Sequence, residues 1–111
     1  MDFYLSINKN GEFRRVYSRG KSFVSPVLVS YVMKTRGPDV RVGITTSKKI
    51  GNAVKRSRAR RVIRAALRSL GGEIKPGYSF IFVARSKTAA VKSTDIRRAM
   101  FFQLKKAGAL K

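Results

Sequence analysis

Apolar positions along the chain switch between two periods, and the switches divide it into elements. Phe13, Val16 and Tyr17 recur at i, i+3 and i+4, which predicts a short helix over residues 10–17, with Asn10 as its cap, Glu12 in the first turn favouring the dipole and Gly20 as its stop. Val16 reads as an anchor to a sheet, whereas Phe13 and Tyr17 fit either anchoring or a ligand-facing role. Lys21 to Val24 follows as a short extended piece. Pro26 then marks an edge or bulge before a strand over residues 27–34, where Val27, Val29, Tyr31 and Met33 share a face. Residues 36–39, Arg-Gly-Pro-Asp, form a turn by composition and predict a hairpin to the next strand, residues 40–46. That strand alternates Val40, Val42 and Ile44 with Arg41, Gly43 and Thr45, the pattern of a half-buried sheet.

Period 3.6 returns after Gly51. Asn52 caps a helix from about Ala53 to Leu70, which stops at Gly71-Gly72 and carries the apolar stripe Ala59, Val62, Ile63, Ala66, Leu67 and Leu70. Lys75-Pro-Gly77 turns into a strand over residues 78–84. Its Tyr78, Phe80 and Phe82 lie on one face and Ile81 and Val83 on the other, so both faces are buried and the strand is central. A last helix, from about Thr94 to Ala107 with Ser93 or Thr94 as cap, turns Ile96, Ala99, Met100, Leu104 and Ala107 inward. The order is α-β-β-β-α-β-α. It predicts an α+β or α/β sandwich with a mixed four-stranded sheet and one parallel β-α-β unit, in a single domain spanning residues 1–111.

Charge decides what the outer faces are for. The chain carries 26 Lys and Arg against 5 Asp and Glu, a net charge of +21, yet 43% of it is hydrophobic, so it folds rather than forming a basic tail. Nine of the cations fall between Ser47 and Arg68, and no carboxylate occurs between Asp39 and Glu73. A merely solvated helix face interleaves acids with bases, whereas an uncompensated one calls for a polyanion. Nucleic acid is the expected partner, because no apolar run is long enough to span a membrane and no secretory signal opens the chain; a cytoplasmic location is expected. Without Cys or His, zinc sites, thiol nucleophiles and imidazole bases are absent. Asp2, Glu12, Asp39, Glu73 and Asp95 show no paired spacing of the kind that holds two metals. Binding, rather than catalysis by the protein's own side chains, is expected, and no small-molecule substrate is implied.

The segment from Arg41 to Arg64, RVGITTSKKIGNAVKRSRARRVIR, resembles the signature region of the bacterial ribonuclease P protein component, in which a strand, an S-K-K-I/V-G-x-A-V loop and an R-N-R helix follow in this order. The resemblance extends to the helix around Phe13 and Tyr17, the strands from Lys21 to Tyr31 and the strand from Ile81 to Arg85. One departure is Ser57, standing between Arg56 and Arg58 where the family has asparagine; a hydroxyl cannot reproduce an amide's paired contacts. The resemblance implies a small subunit that joins a catalytic RNA and helps remove the 5′ leader of precursor tRNA, with Mg²⁺ held mainly by the RNA and no catalytic residue in the protein. It also implies a left-handed β-α-β crossover. By position it implies that Lys48, Lys49, Lys55, Arg56, Ser57, Arg58, Arg60, Arg61, Arg64 and Arg68 face the RNA subunit, while Phe13, Arg14, Tyr17, Lys21 and Tyr31 line a cleft for the single-stranded leader. The alternative is a basic ribosomal or RNA-chaperone protein without a catalytic RNA partner. A DNA-binding module and a self-sufficient nuclease fit less well, the first for want of helix-turn-helix spacing and the second for want of catalytic side chains.

Overall fold

A computed structural model describes residues 3–111, so Asp2 lies outside the described residues. The elements run β1 (Leu5–Ser6), α1 (Asn10–Arg19), β2 (Lys21–Val24), β3 (Leu28–Lys34), β4 (Val40–Thr45), α2 (Ala53–Leu70), β5 (Tyr78–Ala84) and α3 (Ser93–Lys106). The sheet has five strands, in the order β1-β4-β5-β3-β2, not the expected four. The added strand is the two-residue β1, which pairs in parallel with β4 through Leu5 opposite Arg41 and Ser6 opposite Val42. Two residues carry no periodic signal, so only the paired partner reveals the strand.

The expected hairpin between β3 and β4 does not form. β5 lies between them, antiparallel to β3 and parallel to β4. The reason is burial: Phe80 and Phe82 project from one face of β5 and Ile81 from the other, all fully buried, so this strand takes the centre. Residues 35–39 therefore arch over the start of β5 instead of reversing on themselves. Thr35 N–H donates to the Gly77 carbonyl at 2.8 Å, and Gly77 N–H donates to the Asp39 carbonyl at 3.1 Å. Gly77 has φ +83°, and a Cβ there would lie 3.1 Å from the Gly37 carbonyl oxygen, so the arch needs glycine beneath it.

Two cores result. Under α2 and α3, Leu28, Val32, Val42, Phe80 and Phe82 meet Ile63, Leu67, Leu70, Ile96, Met100 and Leu104; Val27, just outside β3, packs here rather than with Tyr31. On the other face α1 covers a smaller core of Ile7, Val16 and Ile81, flanked by Phe13, Tyr31, Met33 and Val83. The apolar stripe of α2 is buried as expected.

The caps differ in detail. Asn52 Oδ1 accepts from Lys55 N–H at 3.0 Å, as expected of a cap. Asn10, however, is already helical and Lys9 occupies the cap position of α1, with no side-chain bond. At α3, Ser93 and Thr94 are likewise inside the helix. There Lys92 precedes it, and the Asp95 carboxylate accepts from the Lys92 N–H at 3.2 Å. A polar residue absent from the expected core also joins it: Gln103 Oε1 accepts from Ser30 Oγ at 2.5 Å, while its Nε2 donates to the carbonyls of Leu28 at 2.9 Å and Phe23 at 3.1 Å. All of its polar atoms are satisfied, so it ties α3 to β2 and β3 without leaving a buried group unpaired. No helix among the described residues is long and apolar enough to cross a membrane.

Candidate nucleic-acid interface

The loop ahead of α2 is built to hold lysines outward. Ser47 Oγ accepts from Lys49 N–H at 3.3 Å and starts a 3₁₀ turn, Lys48–Ile50, in which Ile50 is buried as the anchor while Lys48 and Lys49 stay exposed. Gly51 follows at φ 133°, a backbone angle that side chains resist, and brings the chain to the Asn52 cap. The amide end of α2 adds its partial positive charge to these cations, which favours phosphate there.

Along α2 the cations do not form one uniform face. Arg60 and Arg64 lean toward the β1 and β4 edge, where they line a cavity of about 180 Å³ with Tyr4, Ser6, Ile7, Asn8 and residues 42–44. Arg58 lies on the opposite flank and is tethered, its Nε donating to the Ala89 carbonyl at 2.8 Å. Arg56 is half-buried, with Nη1 donating to the Gly51 carbonyl at 3.3 Å. Lys55, Ser57, Arg61, Arg64 and Arg68 are exposed. Beside them Val54 is 76% exposed, an apolar side chain at the head of a basic surface. Helical phase alone separates Arg58 from Arg60 and Arg64; its bond to Ala89 has no sequence signal, because the partner comes from a loop after β5.

On the other sheet face the three aromatic residues come together. The tip of the Phe13 ring lies against Gly43, where a Cβ would sit 2.6 Å from its Cε1. Phe13 and Tyr17 have centroids 6.4 Å apart, and Tyr17 meets Tyr31 edge-on at 4.7 Å. Phe13 and Tyr31 are half-buried, whereas Tyr17 is 38% exposed and presents its ring outward. Arg14 and Lys21 are exposed on the helix and strand that flank this row. Gly20 lets the two elements meet, since a Cβ there would lie 2.5 Å from the Val16 carbonyl oxygen.

Three of the four described acidic side chains, Glu12, Glu73 and Asp95, have structural partners. Glu12 is gripped by both nitrogens of an Arg41 fork, with Nη2 donating to Oε1 at 2.9 Å and Nε to Oε2. That hydrogen bond holds the Glu12 carboxyl below its ordinary range against the opposing effect of burial, and raises Arg41 in turn. Glu73 lies 3.7 Å from Arg97, and Asp95 caps α3. Among the described residues no three side chains of His, Cys, Asp or Glu converge as a metal-ligand cluster. Cations absent from the expected site also gather: Arg15, Arg19, Lys34 and Arg36 surround a cavity on the flank of α1 away from Tyr17.

Comparison with known proteins bears on this arrangement. The family model described as Ribonuclease P matches residues 2–108. The chain is 45% identical over 100 residues to the ribonuclease P protein component of Clostridioides difficile, covering 86% of this chain and 88% of that one. It is 43% identical over 103 residues to the component from Clostridium botulinum strain Loch Maree, covering 92% and 93%. Among solved structures it is similar to the RNase P protein of Staphylococcus aureus, with a TM-score of 0.83 and 28% identity over the whole of both chains.

Proposed function

The chain belongs to the ribonuclease P protein component family and is the protein subunit of that tRNA-processing ribonucleoprotein; on that premise we propose how its two faces divide the work. The lysine loop and α2 bind the RNA subunit, through Lys48, Lys49, Lys55, Arg56, Ser57, Arg58, Arg60, Arg61, Arg64 and Arg68. Phe13, Arg14, Tyr17, Lys21 and Tyr31 receive the single-stranded 5′ leader of precursor tRNA. Work on such a substrate places the protein in the cytoplasm.

The observation that carries this reading is the separation of chemistries. Aromatic rings with an exposed Tyr17 lie over one face of the sheet, and an acid-free arginine helix packs on the other. Rings stack on any base, so a leader of variable sequence is accommodated, while Arg14 and Lys21 neutralise its phosphates. Guanidinium forks match the phosphates of a folded RNA bidentately, although Arg58 and Arg56 are partly committed to carbonyls and contribute to that surface by position as much as by free donors. Ser57 is exposed in this surface and offers one hydroxyl where an asparagine offers an amide. Hydrolysis itself belongs to the RNA, whose bound Mg²⁺ supplies the electrophilic assistance. The protein's share is to hold the leader and RNA together and to screen their mutual repulsion, which lowers the Mg²⁺ needed.

Reconstitution tests this. The protein alone leaves precursor tRNA intact; added to its RNA subunit, it lowers the Mg²⁺ requirement and tightens binding of precursor relative to mature tRNA. Cleavage by the protein alone, abolished by changing one carboxylate, would refute the reading.

A further inference from the structure

Helix α1 has a second flank, and it is basic for reasons the aromatic row does not explain. Arg15 and Arg19 project from it toward the end of β3, where with Lys34 and Arg36 they line a cavity of about 530 Å³, completed by Met33 and Thr35. No carboxylate lines it, and all four cations are exposed. Arg19, Lys34 and Arg36 have no ion-pair partner among the described residues, and the nearby Glu12 has both oxygens taken by Arg41. Four like charges around one hollow repel each other unless an anion enters it. Exposed guanidiniums beside a half-buried, apolar Met33 suit a phosphodiester with its sugar.

The position selects which phosphodiester. The hollow is on the sheet face that carries the aromatic row, opposite the face on which α2 packs. Arg19 closes α1 and Lys21 opens β2, with only Gly20 between them, so a cation assigned to the row and a cation of the hollow flank the same junction. We propose that this cavity is a further leader subsite, holding a backbone phosphate of a nucleotide beyond those that meet Tyr17 and Tyr31. It rests on the leader reading above and extends it: the protein measures leader length through charge as well as base stacking.

The test uses the reconstituted holoenzyme and precursor tRNAs whose leaders are lengthened one nucleotide at a time. With Arg19→Gln and Arg36→Gln together, short leaders and mature tRNA bind as before, and the affinity gained by longer leaders falls by roughly two- to fivefold per neutralised cation. Arg36→Glu deepens that loss, and thermal melting stays unchanged because both residues are exposed. A loss of equal size at every leader length, mature tRNA included, would assign the cations to the RNA subunit or the tRNA body and overturn the proposal. A flat series alongside a Tyr17→Ala variant that does lose leader affinity would overturn it too. A flat Tyr17→Ala series overturns the aromatic reading itself, so the two failures are distinct.

Discussion

Phe13, Val16 and Tyr17 sit at equivalent spacing on one helix, and their environments divide them. Val16 is fully buried, Phe13 is wedged over Gly43, and Tyr17 is held edge-on by Tyr31 with part of its ring in solvent. Truncation therefore has two different signatures. Phe13→Ala removes a half-buried ring from the smaller core and lowers stability by about 2 kcal/mol, below the range for a fully buried phenylalanine. Tyr17→Ala leaves the melting temperature nearly unchanged and costs roughly 1–3 kcal/mol of leader binding. Paired melting and leader-affinity measurements check both, and a Tyr17→Ala protein that melts early while binding leader normally contradicts the division. Period 3.6 identifies the face these residues share, but only the glycine opposite Phe13 and the tyrosine opposite Tyr17 decide how deeply each ring is set, Phe13 half-buried and Tyr17 more exposed.

At the scale of elements, α2 was legible almost to the residue. Asn52, Gly71 and an uninterrupted apolar stripe are local signals, and the helix observed, Ala53–Leu70, needs no more than those. Its basic surface was legible as charge and as helical phase, but not in what each arginine meets. Arg60 and Arg64 turn toward the sheet edge, whereas Arg58 is drawn to the Ala89 carbonyl on the far side. Replacing Arg60 and Arg64 by Gln is expected to weaken binding to the RNA subunit and to flatten the dependence of log K on log salt by up to about 0.9 per lost phosphate contact. Titrations at several salt concentrations read this directly; an unchanged slope assigns the pair to solvent. The 3₁₀ turn and the Gly51 angle that aim Lys48 and Lys49 outward depend on burying Ile50, a tertiary event that the loop's own residues do not announce.

For the molecule as a whole, a net charge of +21 leaves few acids to stabilise the fold, and one of them carries a disproportionate share. Glu12 joins α1 to β4 through Arg41, and its carboxyl is held below the ordinary value of 4.5 by that bond. Because the folded state depresses it, its stabilisation is complete above the unfolded value and is lost as pH falls through the lower, folded one. Melting temperature is expected to be level above that range and to decline below it, with Glu12→Gln less stable at neutral pH and less sensitive to acid; an equally steep acid decline in the variant would place the effect elsewhere. Sequence by itself determined the helices and their apolar faces, the central rank of β5, the parallel relation of β4 to β5 and the uncompensated basic charge of the segment from Ser47 to Arg68. Each follows from local spacing, capping or summed charge. Only the tertiary structure decided that β5 separates β3 from β4, that Leu5–Ser6 adds an edge strand, that Gln103 is a satisfied core residue, and that Arg15, Arg19, Lys34 and Arg36 share one hollow. Those outcomes depend on partners far apart in the chain, chosen by competition for buried surface and hydrogen bonds, which no local pattern encodes.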